Sequence, residues 1–249
     1  MKERGVKAVT FDLWNTLIVD TPEGGRTRAA RRIDATHSIL GEEGFPFSKE
    51  WIADAYSTSQ VMFEEVRQKG LDIVFDDQMD MYLDLIVPDL SGSLSPSVKR
   101  RITTEHTEAY FKDPPLPMTG ALEVLKDLHS RGYKLGLICN SGATPGSLQR
   151  QFLANLGVAR YLRVLTFSDE EELAKPSPGV FLKTLRALRV SAEAAVHVGD
   201  RPETDILGAK EVGMKAVLIG QASLDGVPVE PDAQIELLSE LPEVLEQIR

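Results

Sequence analysis

The sequence predicts an α/β protein: a doubly wound parallel sheet with an all-helical segment inserted directly after its first strand. Three observations carry this. A buried-type apolar run, Val6 to Phe11, stops abruptly at Asp12. Residues 26–113 then show helical periodicity and no convincing strand. Beyond the breaker Pro114-Pro115-Leu116-Pro117, helix and strand patterns alternate strictly, as βα units feeding one parallel sheet do.

Each element follows from local chemistry. Residues 6–11 read as a strand buried on both faces, with Leu13, Trp14, Asn15 and Thr16 forming the turn beyond it. Four helices are expected in the insert, over 26–42, 48–69, 76–87 and 95–112. Ser95 followed by Pro96 makes an N-cap and first-turn pair, and Gly44 and Gly70 fall where helices end. After the breaker, a helix over 119–131 ends at Gly132 and leads into a strand over 134–139. A helix over 145–155 ends at Gly157 before a strand over 161–167. A helix over 177–189 precedes a strand over 195–199, and one over 203–212 ends at Gly213 before a strand over 215–220. The tail from Ala222 reads as a Pro- and acid-rich loop plus a last helix near 241–248, packed on the sheet. A core domain is therefore expected over 1–20 and 114–249, with a helical cap over 21–113 hanging above the carboxyl edge of the sheet.

The totals bound the function. A chain of 249 residues can bury a core without covalent staples. Cys139 is the single cysteine, so no internal disulfide forms, no zinc spacing exists, and a reducing, cytoplasmic setting is expected. The apolar run after the charged start is only about six residues, far short of a signal core or a membrane span. A net charge of -10 repels polyanions and argues against nucleic acid as a partner. The glycine-containing stretch from Ser141 to Gly146 lacks the Gly-Lys-Ser/Thr ending of a phosphate loop, and no dinucleotide fingerprint follows any strand.

Ligands of open α/β sheets collect at the carboxyl ends of the strands, where the strand order reverses. Four positions converge there: Asp12, the Cys139-Asn140-Ser141 segment, Lys175, and Asp200 with Asp205. Three carboxylates on one edge repel one another unless a cation sits among them, and hard oxygen ligands suit Mg²⁺.

The segments FDLWNTL, LICNSG, AKPSPGVF and VHVGDRPETDILGA resemble, in order, the four motifs of the haloacid dehalogenase-like hydrolase superfamily. The resemblance spans the whole core and implies a Rossmann-like domain whose cap selects the substrate. It implies that Asp12 is the nucleophile of a two-step hydrolysis through an ester intermediate, and that Lys175 neutralises the charge that develops. It implies a Mg²⁺ ion held by Asp12, the backbone carbonyl of Trp14 and Asp200, with Asp205 in direct or water-mediated contact. The substrate it points to is a small phosphorylated metabolite, touched by Trp14, Cys139, Asn140 and Ser141.

Two departures from the family pattern bear on that expectation. Phosphatases of the superfamily usually carry a second Asp two residues after the nucleophile as acid and base, and here Trp14 stands there. An indole does not titrate in the useful range, a loss on the order of 10²–10⁴-fold unless another group substitutes. Cys139 replaces the usual Ser or Thr, and a thiol donates more weakly, which leaves the backbone N–H groups of Asn140 and Ser141 to bind the phosphoryl oxygen. Carbon–halogen or carbon–phosphorus cleavage, and a binding or regulatory protein with weakened turnover, therefore stand beside phosphatase as readings. Asp200 and its metal motif weigh against the dehalogenase branch.

The remaining polar residues have plainer readings. Trp14 serves as packing under the cap or as a pocket wall, and Cys139 as an inert buried thiol. His37, His106, His129 and His197 read as surface or packing residues, with His37 and His106 the two worth testing as substitute acid/base groups. Arg26, Arg28, Arg31 and Arg32 read mostly as a solvated helix face, with substrate steering as the alternative.

Overall fold

Four consecutive buried residues with no polar face make β1 (Ala8–Phe11) a central strand. The computed structural model describes residues 5–248. After β1 come β2 (Ile18–Val19), then α1 (Gly24–Glu42), α2 (Lys49–Gln68), α3 (Phe75–Ile86), the short α4 (Leu90–Ser93) and α5 (Pro96–Lys112), before β3 (Leu116–Pro117). The rest alternates: α6 (Ala121–Ser130), β4 (Lys134–Cys139), α7 (Gly146–Asn155), β5 (Leu162–Phe167), α8 (Ser168–Glu171), α9 (Pro178–Leu188), β6 (Ala195–Gly199), α10 (Leu207–Glu211), β7 (Lys215–Ile219), β8 (Ala233–Ile235) and α11 (Leu241–Gln247).

The main sheet runs β5-β4-β1-β6-β7-β8 with every pairing parallel. Phe11 lies level with Leu137 of β4 and Val198 of β6. The chain moves outward from β1 through β4 to β5, then crosses back to β6, so the strand order reverses beside the carboxyl end of β1. Side chains alternate between two cores, as the period of a strand requires. Val9, Phe11, Leu137 and Val198 pack with Leu125 and Leu128 of α6 and Leu241 of α11. Ala8, Ile138 and Leu218 pack on the other face with Phe181, Leu185 and Leu188 of α9.

The helices between β2 and β3 have a core of their own, built from Leu40, Ile52, Tyr82, Leu83, Ile86 and Ile102. Ser48 and Ser95 cap α2 and α5 through their side-chain oxygens, which accept from Trp51 and Val98 N–H. The β2–β3 ribbon, Ile18 opposite Pro117 and Val19 opposite Leu116, carries the chain out and back. A second tie joins the insert to the sheet: Ala174 N–H donates to Gly70 O (3.1 Å) and Asp72 N–H to Glu172 O (3.2 Å).

Four features differ from the sequence reading. The helix expected over 203–212 is a π-helical turn, Pro202–Ile206, followed by the short α10, with Leu207 N–H reaching back to Pro202 O. Such widened turns occur often at functional sites, and this one carries Asp205. The tail supplies a sixth strand of the main sheet, β8, which its three-residue length concealed. The ribbon strands are two residues each, too short for a periodic signal. The single turns α4 and α8 were likewise not anticipated.

Candidate active site

Asp12 is fixed where β1 ends, because its N–H donates to Val198 O of the neighbouring strand (2.8 Å). Lys175 reaches the same point from the loop between α8 and α9. Its Nζ lies 2.5 Å from Asp12 Oδ1 and 2.6 Å from Asp205 Oδ1. The backbone of Lys175 is clamped by one side chain: Lys175 N–H donates to Asn140 Oδ1 (2.8 Å) and Asn140 Nδ2 donates to Lys175 O (3.0 Å). Asn140, expected to serve through its backbone, thus positions the lysine through its amide.

Asp205 is the hub of the buried side. Its Oδ2 accepts from Arg201 N–H (3.0 Å), and its Oδ1 lies 3.2 Å from His197 Nε2. His197 Nδ1 is 2.9 Å from Thr10 Oγ1. Burial pushes the His197 imidazole below its usual range, despite Asp205. A neutral ring beside an acceptor-only carboxylate carries its hydrogen on Nε2, so Nδ1 accepts from the Thr10 hydroxyl. Gly199 permits this close approach: a Cβ there would stand 2.3 Å from Asp205 Cγ.

Asp200 is half-buried and accepts from Asn15 Nδ2 (3.1 Å). Asn15 adopts a left-handed conformation, φ 55°, which Asn tolerates better than most residues. Carboxylate oxygens of Asp12, Asp200 and Asp205 lie within 4.8 Å of one another. Burial pushes the Asp12 carboxyl up to about 7, with Asp205 and Asp200 adding to the rise and Lys175 opposing it. Asp205 sits well below the carboxylate range, because Lys175 and His197 outweigh the effect of burial. Burial works to lower Lys175 as well, yet Asp12 and Asp205 hold it above its ordinary value. One ammonium among three carboxylates leaves an excess of negative charge, and the oxygens not taken by Lys175, His197, Arg201 or Asn15 suit a hard divalent cation.

A cleft of about 400 Å³ opens above this edge, bounded by Asp12, Asn140, Ser141, Lys175 and Asp200 below and by residues of α1 and α2 above. Trp14 forms part of its wall, edge-on to Tyr110 (centroids 6.2 Å apart) and beneath the Arg28 guanidinium (5.6 Å). It therefore combines the two roles that the sequence left open.

Cys139 does not line the cleft. Its thiol is buried and directed at Gln149 Oε1 (3.6 Å), and burial, with the nearby Asp12 charge, pushes it well above the usual thiol range. Ser141 lines the cleft, but its N–H donates to Ser168 Oγ (2.8 Å) and its hydroxyl to Asp169. The expected phosphoryl donor at Ser141 N–H is thus already engaged, because α8 brings two acceptors under the loop.

The arginine face needs correction. Arg26 and Arg31 are exposed, but Arg28 and Arg32 are buried and line the cleft. The signal was present: stepping back by four from Leu40 gives Thr36, Arg32, Arg28 and Gly24, all on the buried stripe of α1. Tyr56, Arg67 and Thr144 are further cleft residues that the sequence reading missed, having no motif to mark them. His106 is packed among Tyr56, Phe75 and Tyr82, away from the cleft, and burial drives it well below its ordinary value. His37 and His129 are exposed. Neither His37 nor His106 stands where an acid/base group is required.

A parallel sheet that reverses order beside a buried aspartate, joined there by a lysine and two further acids, is a Rossmann-like core with a carboxylate-centred site of the kind hydrolases use. The chain belongs to the haloacid dehalogenase-like hydrolases, whose family model matches residues 6–213. It is 30% identical over 215 residues to a glyceraldehyde 3-phosphate phosphatase of Methanothermobacter thermautotrophicus, covering 86% of this chain and 85% of that one. A glyceraldehyde 3-phosphate phosphatase of Pyrococcus abyssi is 32% identical over 217 residues, 85% and 80% of the two chains. Among solved structures, a 2-haloacid dehalogenase from Pseudomonas syringae superposes with a TM-score of 0.71 at 27% identity, covering 98% of this chain and all of that one. Among the described residues, no helix is long and apolar enough to cross a membrane.

Proposed function

We propose that the protein is a Mg²⁺-dependent phosphatase of small phosphorylated metabolites, with Asp12 as nucleophile. The observation that carries this reading is the junction of Asp12, Lys175 and the Asp200–Asp205 pair at the strand-order reversal. The phosphatase relatives support the same chemistry.

A carboxylate oxygen of Asp12 attacks phosphorus, the ester oxygen departs with the bonding pair, and water then cleaves the aspartyl phosphate to release phosphate and free Asp12. Lys175 offsets charge on Asp12 before attack and on the equatorial phosphoryl oxygens during it. Asp205, engaged by Lys175 and His197, serves chiefly to hold the ammonium in place. Asp12, Asp200 and the Trp14 carbonyl are the residues that would hold Mg²⁺, with Asp205 reached through water. When bound, the ion neutralises the acids and polarises the phosphoryl group. Residues 21–113, as a cap domain over the core of 1–20 and 114–249, exclude bulk water and choose the leaving group.

Trp14 cannot protonate that leaving group. Glu64 on the cleft wall accepts from Arg67 Nε (3.1 Å) and lies 3.6 Å from an Arg201 nitrogen, so its carboxylate is engaged by guanidinium groups rather than free to serve the leaving oxygen. Solvent must supply the proton, so esters with stable leaving anions turn over fastest. Trp14 and the likeness to a dehalogenase favour carbon–halogen cleavage as a second reading, since halide departs without a proton. Assays with p-nitrophenyl phosphate, a panel of sugar and acid phosphates and 2-chloropropionate, with and without Mg²⁺, decide between them. Mg²⁺-dependent phosphate release abolished by Asp12→Asn supports the first reading, and chloride release the second. Neither product from a folded, Mg²⁺-binding protein would overturn both.

A further inference from the structure

We propose that Arg32 is the anchor of a second anion subsite, so that the preferred substrate is a phosphomonoester bearing another oxyanion, carboxylate or phosphate, beyond the ester carbon. This deepens the phosphatase reading and rests on it for the first anion. Arg32 projects from α1 into the cleft with 4% of its surface exposed. Its Nε donates to His106 O (3.0 Å), and its terminal nitrogens donate to the Tyr56 hydroxyl (3.1 Å) and to Thr144 Oγ1 (3.0 Å). All three acceptors are neutral. Among the described residues, no carboxylate oxygen lies within 4.0 Å of the guanidinium.

The other cationic walls differ in this respect. Arg28 is paired with Asp20 (2.5 Å), and Arg67 with Glu64 (3.1 Å) and Asp72 (3.5 Å). Among the described residues that line the cleft, Arg32 is the buried cation without a counter-charge, an arrangement unfavourable in the free protein and relieved by an anion. A guanidinium has five N–H donors in a planar fork suited to carboxylate or phosphate, and three are spent on orientation. The three acceptors lie on α5, α2 and the loop after β4, so the fork that α1 presents is held rigidly between insert and core. Its rigidity makes it a specificity device rather than a flexible surface charge.

The test compares kcat/KM for 3-phosphoglycerate, ribulose 1,5-bisphosphate and glycerol 3-phosphate, which share a phosphomonoester and differ in the second anion. The wild type is expected to favour the first, the second or both by about tenfold or more over glycerol 3-phosphate, as a charged hydrogen-bond pair warrants. Arg32→Gln should collapse that ratio to within about threefold, and Arg32→Lys should retain part of it. Because each ratio is taken on one preparation, loss of folded protein cancels. Preference for 3-phosphoglycerate alone identifies a carboxylate subsite, and preference for the bisphosphate alone a phosphate subsite. Equal wild-type values for all three, or a ratio untouched by Arg32→Gln, overturn the proposal. Should the wild type hydrolyse none of them, the p-nitrophenyl phosphate assay above decides the phosphatase reading separately from the subsite. Calorimetric affinities for the same compounds then decide the subsite: an Arg32-dependent preference sustains it, and equal affinities end it.

Discussion

Trp14→Asp places a carboxyl two residues beyond the nucleophile, where phosphatases of the family usually keep their acid and base. Two opposing magnitudes follow from the surroundings of the indole. On the cost side, the edge contact with Tyr110 at 6.2 Å and the Arg28 cation at 5.6 Å are lost, each about 1 kcal/mol. About 100 Å² of apolar burial for a half-buried indole adds roughly 2 kcal/mol, so the variant should be destabilised by about 3–4 kcal/mol in a urea melt. On the gain side, a positioned general acid contributes on the order of 10²-fold or more to departure of a poor leaving group. The gain should appear for alkyl phosphates such as glycerol 3-phosphate and nearly vanish for p-nitrophenyl phosphate, whose leaving anion needs no proton. Steady-state kcat on the two esters, with Mg²⁺, is the assay. Arg28 stands over the new side chain and favours its ionised form, so the gain should be largest below neutral pH. A folded Trp14→Asp protein with the wild-type ratio of alkyl to aryl ester rates would refute the idea that a missing acid limits turnover.

Further predictions concern the charges at the strand ends. A carboxyl pushed up to about 7 is protonated below that pH, so the apparent affinity for Mg²⁺ should weaken about tenfold per unit as pH falls beneath it; titrations followed by calorimetry should show this, and added Mg²⁺ should move the acid limb of kcat/KM to lower pH. Asp205, depressed in the folded state by Lys175 and His197, contributes stability that is present above its unfolded value, roughly 4, and is lost as pH falls through the folded value. Asp205→Asn should therefore cost about 3 kcal/mol at pH 7 and progressively less in acid, as read from urea melts across that range. Gly199→Ala sets a Cβ 2.3 Å from Asp205 Cγ; displacing that carboxylate should lower Tm, at a cost of about 1–3 kcal/mol, and reduce kcat because Lys175 loses its support.

Much of this site was legible because its parts lie at the ends of regular elements. Asp12 and Asp200 each follow directly on a strand whose apolar run stops abruptly, Lys175 and Asp205 lie in the segments that lead away from strand ends, and parallel pairing brings those ends level. What escaped notice depends on contacts between distant segments. Asn140 looks like a loop polar residue until Lys175, 35 positions later, presents both its backbone groups to the amide. Arg32 looks solvated because charge usually marks an exposed face, whereas packing of α1 against α5 and α2 decides which stripe is covered. The thiol of Cys139 turns toward α7 because Gln149 waits there, a choice invisible in LICNSG. Short strands such as β8 derive their existence from an exposed sheet edge rather than from their own periodicity.

A protein with a net charge of -10 that binds anions presents opposed fields, and salt separates them. The molecular exterior repels an anionic ester, while Arg28, Arg32, Arg67, Arg201 and Lys175 line the cleft against the carboxylates of Asp12, Glu64 and Asp200. At physiological ionic strength, charges more than about 8 Å from the ligand are largely screened. The exterior term thus fades first as salt is added, and the contact term within the cleft persists longer. If repulsion by the exterior governed capture, kcat/KM would rise with NaCl. If the cleft governs it, kcat/KM should instead fall several-fold between low and high salt, because the ions weaken attraction at the mouth. Arg32→Gln should flatten that fall for a doubly anionic ester more than for p-nitrophenyl phosphate. A rising profile in the wild type would mean that the local cations are too well matched by Asp20, Glu64 and Asp72 to attract substrate at all.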